Sequence, residues 1–222
     1  VKYPQGKLMI FCKAPVPGQV KTRLAKSIGD EAACQVHQQL THRTLQELTR
    51  QPLTDIQLWC APSIEHRFFQ QCRQRYGVEL REQGEGDLGV RMARAFAAAL
   101  STASCAVIVG TDCPLLDQAY VDQAFAALAQ GEDTVIGPAE DGGYVLLGLR
   151  QPQPAIFEAI DWGTARVMQQ TLQRLTGTAH CLPSLWDVDQ LEDLRRLCDV
   201  TPDAGLDADF SAWLAQLNLS QE

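Results

Sequence analysis

The chain has no apolar run approaching the roughly 18 to 20 residues that cross a bilayer, so no membrane span is expected. Its first apolar stretch, Leu8 to Cys12, is too short for a secretory signal core and carries no cleavage pattern. No C-x-x-C is present. The four histidines (37, 42, 66 and 180) form neither H-E-x-x-H nor a zinc spacing with the cysteines, which argues against a structural zinc. The eight cysteines (12, 34, 60, 72, 105, 113, 181 and 198) are scattered, several of them inside apolar runs. There Cys behaves as a small hydrophobe, so reduced thiols in a cytoplasmic protein are expected, not a disulfide framework. Basic residues are scarce: 19 Lys and Arg against 27 Asp and Glu leave a net charge of −8. Such a balance argues against a nucleic-acid partner. There is no repeat, low-complexity tract or interdomain linker, and 222 residues at 45% apolar suit a single domain spanning 1–222. Nothing in the sequence signals an oligomeric state.

What is present is an alternation of short apolar strands and longer helical stretches. Strands are predicted at Lys7–Cys12, Asp55–Cys60, Val78–Glu82, Cys105–Val109, Thr134–Gly137 and Tyr144–Leu149, with a short one near His180–Leu182. Helices are predicted from Asp30 towards Arg50, from a Ser63 cap to Tyr76, and after Asp87, where Leu88, Met92, Phe96 and Leu100 recur every four residues. Further helices are predicted at about Asp117–Ala129, Thr164–Leu175, Gln190–Cys198 and Phe210–Leu217. This order points to a three-layer α/β/α domain with a mostly parallel sheet.

The run Val107-Ile-Val-Gly-Thr-Asp-Cys-Pro114 reads as a buried strand that ends in Gly-Thr-Asp, with proline blocking its continuation. Ligands of α/β sheets gather beyond the carboxyl ends of such strands. Asp112 is therefore a candidate metal ligand there, or else the start of a turn before the next helix. After the first strand comes Lys13-Ala-Pro-Val-Pro-Gly-Gln-Val-Lys-Thr-Arg-Leu24. Residues 1–50 hold eight Lys and Arg against three Asp and Glu, so a small basic site is set in an acidic protein. Gly18 would let backbone amides approach a phosphate and Lys21 and Arg23 would neutralise it, or else the stretch is a proline-stiffened surface loop. A Walker loop is excluded, because Gln19 and Val20 separate Gly18 from Lys21.

Gly84-Glu-Gly-Asp-Leu-Gly89 fits the dinucleotide fingerprint letter for letter. It follows the third strand instead of the first, however, and Glu85 and Asp87 would repel a pyrophosphate, so it is read as a ligand-facing loop with Asp87 as helix cap. Glu140-Asp-Gly-Gly143 joins two strands as a turn or as an acceptor-binding loop, and Ile160-Asp-Trp-Gly-Thr164 is a candidate second wall. In Trp186-Asp-Val-Asp-Gln-Leu-Glu-Asp-Leu194, Asp189 and Glu192 have the spacing of a capping box, while Asp187 or Asp189 could join Asp112 on a metal.

Together the stretches Phe11–Leu24, Gln83–Met92, Gly110–Pro114 and Glu140–Tyr144 resemble the GT-A-like nucleotide-sugar and nucleotidyl transferase superfamily. The resemblance is nearest to a bacterial glycosyltransferase group associated with radical-SAM or arsenosugar pathways. The chain is also similar to 2-phospholactate guanylyltransferases and molybdenum-cofactor nucleotidyltransferases. The resemblance implies a GT-A-like transferase taking a nucleotide or nucleotide-sugar donor and a small-molecule acceptor. Lys13, Pro15, Gly18, Lys21, Arg23, Gly84, Gly86, Asp87, Leu88 and Gly89 would hold the nucleotide, with Lys21, Arg23 and Asp112 catalytic. Mg2+ or Mn2+ would sit on Asp112 with Asp187 or Asp189, and the acceptor would meet Glu140, Asp141, Gly142, Gly143 and Trp162. Gly110-Thr-Asp112 supplies only the last acid of the usual D-x-D. That departure leaves glycosyl and nucleotidyl transfer both open.

Overall fold

Alternating side chains send the first strand, β1 (Gly6–Lys13), into two cores at once. Leu8, Ile10 and Cys12 enter one cluster, and Met9 enters another on the opposite face. The same split runs through β4 (Cys105–Val109), where Val107 and Val109 face one way and Ala106 and Ile108 the other. A central strand of a three-layer domain must be apolar on both faces for this reason.

The computed structural model describes residues 1–199 and 208–217. Seven strands form one sheet in the order β3-β2-β1-β4-β6-β5-β7, adding β2 (Asp55–Ala61), β3 (Glu79–Glu82), β5 (Thr134–Pro138), β6 (Tyr144–Leu149) and β7 (Ala179–Cys181). Every pairing is parallel except those of β6, which runs antiparallel to both β4 and β5. One face is covered by the second half of α2 (Asp30–Arg50), by α3 (Arg67–Tyr76) and by α5 (Gln118–Ala129). The other is covered by α4 (Leu88–Leu100) through Met92, Ala95 and Phe96, beside a 3-10 turn at Pro154–Phe157. The expected α/β/α architecture is the one found.

The loosely periodic apolar pattern of α2 has a physical cause. Its second half, with Leu45 and Leu48, packs on the sheet, whereas Ala33, Val36 and Leu40 belong to a third cluster. That cluster joins Leu24 of α1 (Thr22–Ile28) to Trp186, Val188, α7 (Leu191–Asp199) and α8 (Ala208–Gln216). A helix serving two cores buries a broad surface instead of a single stripe.

Three local expectations are corrected. The basic loop after β1 contains helix α1, which opens at Thr22. His66, not Ser63, caps α3 by accepting from the Phe68 amide, while Ser63 Oγ accepts from Glu65 N and donates to Glu82. The helix predicted at Thr164–Leu175 is shorter, with α6 at Val167–Leu172 and Thr164 spent on a turn that accepts from Arg166 N. Asp87 and Asp117 do cap α4 and α5, accepting from Val90 N and Tyr120 N.

Phe96 is 1% exposed and stacks on Phe157 with ring centroids 6.0 Å apart. Phe96→Ala is expected to cost about 3–5 kcal/mol in urea denaturation. A loss under about 1 kcal/mol would show that α4 does not dock through this ring.

Candidate active site

The carboxyl ends of β1 and β4 lie side by side, and the chain leaving each turns away to leave a crevice of about 620 Å3. β1 feeds the loop that carries Gln19, Lys21, Thr22 and Arg23 into the crevice, and β4 feeds Gly110, Thr111 and Asp112. A second cavity of about 650 Å3 adjoins it, with Ala61, Pro62, Glu82, Gly84, Glu85 and Gly86 in its wall. Lys13, Gln19 and Arg91 line both, so the two cavities share a basic partition.

The floor of the crevice is an ionic cluster. Lys21 Nζ lies 2.7 Å from Asp112 Oδ1 and 3.1 Å from Asp189 Oδ1, and its side chain is only 3% exposed. Burial disfavours the ammonium, but the two carboxylates more than offset this and raise its pKa. His37, buried on α2, donates from Nε2 to the Lys13 carbonyl at 2.9 Å and turns Nδ1 towards Asp112 Oδ1 at 3.9 Å. Burial opposes its protonation, yet Asp112 and Cys12 push its pKa up to about 10. Burial would raise the Asp112 carboxyl, but Lys21 and His37 hold it well below the usual carboxylate range. Oδ1 of Asp112 is buried, whereas the side chain as a whole is 44% exposed, so its free side faces the crevice.

The late segment reaches this cluster along the sheet. Leu185 pairs with Ala139 beyond the end of β5, and the Val188 amide donates to the Asp112 carbonyl at 3.0 Å. Asp187 and Asp189 flank that bond in sequence and both line the crevice. The expected Asp189–Glu192 capping box does not form. Asp193 instead accepts from the amides of Asp189 and Gln190, which frees the Asp189 carboxylate for Lys21. Asp187 is the unbalanced acid: among the described residues no salt bridge reaches it. Burial, followed by the negative charge of Asp189, Asp141 and Asp112, pushes its pKa up to about 7.

The partition is held by a residue with no obvious sequence signal of its own. Gln83 is 3% exposed and donates to the carbonyls of Trp59 (2.8 Å) and Cys12 (3.2 Å), at the ends of β2 and β1. Its carbonyl oxygen accepts from Arg91 Nη1 at 3.1 Å, and Arg91 Nε donates to the Asp87 carbonyl. Arg94 pins the glycine-rich loop by donating to the carbonyls of Gln83 and Glu85. Lys13, Arg23 and Arg91 have no carboxylate partner among the described residues, so three cations face the cavities without internal neutralisation.

The other sequence candidates divide by position. Leu88 lines the crevice, and Gly84 and Gly86 line the second cavity at φ 74° and 107°, values that favour glycine. Pro15 and Gly18 line neither cavity. Asp87 is occupied as the α4 cap, and Gly89 lets α4 approach Phe157 and Trp162, where a Cβ would clash. Trp162 meets Tyr144 edge-on at 6.5 Å, and it is Tyr144 and Gly163 that reach the crevice. Glu140 is held in a bidentate pair with Arg196, and Asp141 accepts from Gly143 N to shape its own turn. Gly142 packs against the backbone of Ala165, which locks the 139–143 loop to the 161–166 loop. These residues build the wall behind the crevice. His37, Gln83, Arg91 and Tyr144 were not singled out by the sequence, although Gln83, Arg91 and Tyr144 lie within its motifs.

Among the described residues no three His, Cys, Asp or Glu side chains converge as a protein-only metal cage. The donors that fit a cation are Asp112 with Asp187 or Asp189, a sparse set of hard oxygens in one crevice, suited to an ion that phosphates also hold.

A family profile described as "Uncharacterized protein conserved in bacteria (DUF2064)" matches residues 44–164. The chain belongs to this family. No curated protein matches this DUF2064 member by sequence. Among solved structures it is similar to a protein of Desulfovibrio desulfuricans G20, provisionally described as a nucleotide-diphospho-sugar transferase. The two share 29% identity at a TM-score of 0.83 over 97% of this chain and 95% of that one. The fold is that of nucleotide-diphospho-sugar transferases. More distant likenesses are to 4-diphosphocytidyl-2C-methyl-D-erythritol synthase of Anaerococcus prevotii, at 10% identity, TM-score 0.58, and 96% and 99% coverage. Another is Rv0371c of Mycobacterium tuberculosis H37Rv in complex with manganese, at 13% identity, TM-score 0.54, and 87% and 97% coverage. These two show the shared fold.

The raised pKa of Asp187 has a consequence for stability. A carboxyl whose pKa is higher folded than unfolded binds its proton more tightly in the native state. Its ionised form therefore costs stability in full above about pH 7, and the cost shrinks as pH falls towards 4. Asp187→Asn is expected to be more stable than the parent at pH 8 by on the order of 1–3 kcal/mol after solvent screening, with the gain fading towards pH 4. Chemical denaturation at several pH values measures this; a gain independent of pH would mean the Asp187 charge is not its source.

Proposed function

We propose that the protein is a transferase that uses a nucleotide-activated donor, with a nucleoside diphosphate sugar as the donor and a small molecule as the glycosyl acceptor. The observation that carries the reading is the basic partition of Lys13, Gln19 and Arg91 shared by two cavities of about 620 and 650 Å3. A nucleoside diphosphate sugar has that form, with a base and ribose at one end, a sugar at the other and two phosphates between. The base and ribose suit the cavity rimmed by Gly84 and Gly86, and the sugar suits the crevice floored by Asp112. The likeness at 29% identity to a protein provisionally described as a nucleotide-diphospho-sugar transferase supports it.

In this mechanism Lys13, Arg23 and Arg91 stabilise the charge that gathers on the leaving diphosphate as its bond to the anomeric carbon breaks. Asp112, with Asp187 or Asp189, would hold Mg2+ or Mn2+, which supplies Lewis-acid stabilisation of the same oxygens when bound. Tyr144 and Gly163 would face the sugar or its acceptor. The wall built by Glu140–Gly143 and Trp162 would fix their position. Free cysteines, six of the eight buried, suit work in a reducing cytoplasm.

Nucleotidyl transfer is the second reading, and Gly110 favours it. Glycosyltransferases of this fold usually carry an acid at that place, and a Cβ built on Gly110 would meet nothing within 4 Å. The acid is thus missing for want of a side chain, not for want of room. In that reaction an acceptor attacks the α-phosphate of a nucleoside triphosphate and pyrophosphate leaves.

Thermal-shift measurements with nucleotides, nucleotide sugars and Mg2+ or Mn2+, followed by product analysis, test both. Release of a nucleoside diphosphate is expected; release of pyrophosphate from a triphosphate would establish the second reading. Asp112→Asn should abolish turnover, and Arg91→Ala should weaken donor binding at least tenfold. Absence of stabilisation by any nucleotide would overturn the proposal. Binding with no product across a broad acceptor panel would mark a regulator that senses nucleotides without turnover.

A further inference from the structure

Lys21 is held in a way that a lysine free to bind phosphate would not need. Its backbone is left-handed, with φ 49° and ψ 42°, a conformation unfavourable for any residue with a Cβ. It sits at the start of α1 without capping that helix through its side chain. The ammonium is buried between two carboxylates that lie 77 residues apart in sequence, Asp112 at the end of β4 and Asp189 in the late segment. Both carboxylates offer their Oδ1 atoms to it, at 2.7 and 3.1 Å. Asp187 lines the same crevice with no salt bridge among the described residues.

A single positive charge between an acid of the central strand and an acid of the late segment lies where a divalent ion bridging those acids would lie. An ammonium and a divalent cation cannot share one carboxylate oxygen closely, because they repel and because the metal needs that oxygen at about 2.1 Å. We propose that Lys21 is a built-in counter-ion that bridges Asp112 and Asp189 in the empty protein and must release at least one of them before a divalent metal can bind there. The device rests on the reading of Asp112 and Asp189 as metal ligands. It suppresses metal binding to the empty site and couples metal entry to the arrival of phosphates, because the released ammonium gains a phosphate oxygen as its new partner. His37 stays in place throughout, fixed from Nε2 to the Lys13 carbonyl, and keeps part of the Asp112 charge balanced.

The test is binding of Mn2+ to the nucleotide-free full chain, followed by the electron paramagnetic resonance signal of the free ion. Lys21→Met and Lys21→Gln should bind Mn2+ at least tenfold more tightly than the parent, and adding Asp112→Asn to Lys21→Met should remove the gain. Folded variants that bind Mn2+ no more tightly than the parent would overturn the proposal. If neither variant folds, a Mg2+ titration of the parent, read through the 15N resonance of the Lys21 ammonium, decides the matter. Loss of its slowly exchanging signal at saturation supports displacement, and a signal unmoved at saturation overturns it. The donor reading is tested separately. A parent protein that no nucleotide stabilises would remove that reading and leave the Mn2+ result standing. A nucleotide-stabilised parent whose Lys21 variants gain no Mn2+ affinity would remove the counter-ion alone.

Discussion

The buried ion pairs of Lys21 with Asp112 and Asp189 are the interaction on which the rest of the site depends. Taking an ammonium and carboxylates out of water is costly, and the arrangement persists only because each charge is answered by another at close range. Only the Lys21 ammonium is fully withdrawn from water; the carboxylates are 44% and 37% exposed, and the loss of either one leaves Lys21 with the other. The three residues come from the loop after β1, the end of β4 and the late segment, so the cluster ties the late segment to the ends of two paired strands. The third hydrophobic cluster serves the same closure from beneath. Leu24 of α1 packs in it with Val188, only one residue from each of Asp187 and Asp189.

Topology explains how the late segment comes to be there. If β6 ran parallel to its neighbours, the chain would need a further crossover before reaching the far edge of the sheet. Because β6 instead returns antiparallel between β4 and β5, β5 lies two strands from β4 and its carboxyl end points the same way as that of β4. The segment after β7 runs past Pro138 and Ala139 through the Leu185 bonds, and continues across the end of β6 to the Asp112 carbonyl. The reversed strand thus shortens the path by which Asp187 and Asp189 are delivered to Asp112.

Much of the fold could be read from the sequence because burial imposes period. β4 is five buried residues in a row, and α4 shows its fourfold recurrence, so their type and place were legible. Legibility failed where one segment serves two masters. α2 lost its clear stripe by packing in two clusters, and α1 hid in a loop because its apolar content is confined to Leu24, Ala25 and Ile28. In the site, the sequence could rank Lys21, Asp112, Asp187 and Asp189 as charged residues near strand ends. It could not foresee that Lys21 would turn inward to the acids, since that depends on a contact across 168 residues. His37 and Gln83 carry no local signal of their role: each is one polar residue that joins a strand-end carbonyl to a charged side chain, Asp112 for His37 and Arg91 for Gln83. Asp193 took the reach-back role expected of Glu192, because an acid one residue further on reaches the amides of Asp189 and Gln190 at once.

The distribution of charge also gives the site a direction. On the floor, Lys21 and His37 answer Asp112 and Asp189, so that layer is close to balanced and Asp187 is its one surplus acid. Lys13 and Arg91 on the partition, and Arg23 in the crevice wall, have no acidic partner among the described residues. A bare phosphate group entering the crevice is therefore attracted to the partition and repelled by Asp187, and it settles towards the cations. A phosphate that carries a divalent ion reverses the second term, because the ion is attracted to the surplus acid while the oxygens keep the cations. Under the proposed function the two charge layers would clamp the same group from opposite sides and would favour breaking of the bond next to it. Near-neutral balance on the floor is what makes this discrimination possible. Were Lys21 turned outward to the phosphates from the start, the floor would carry one further uncompensated negative charge, shared between Asp112 and Asp189, and would favour metal without substrate.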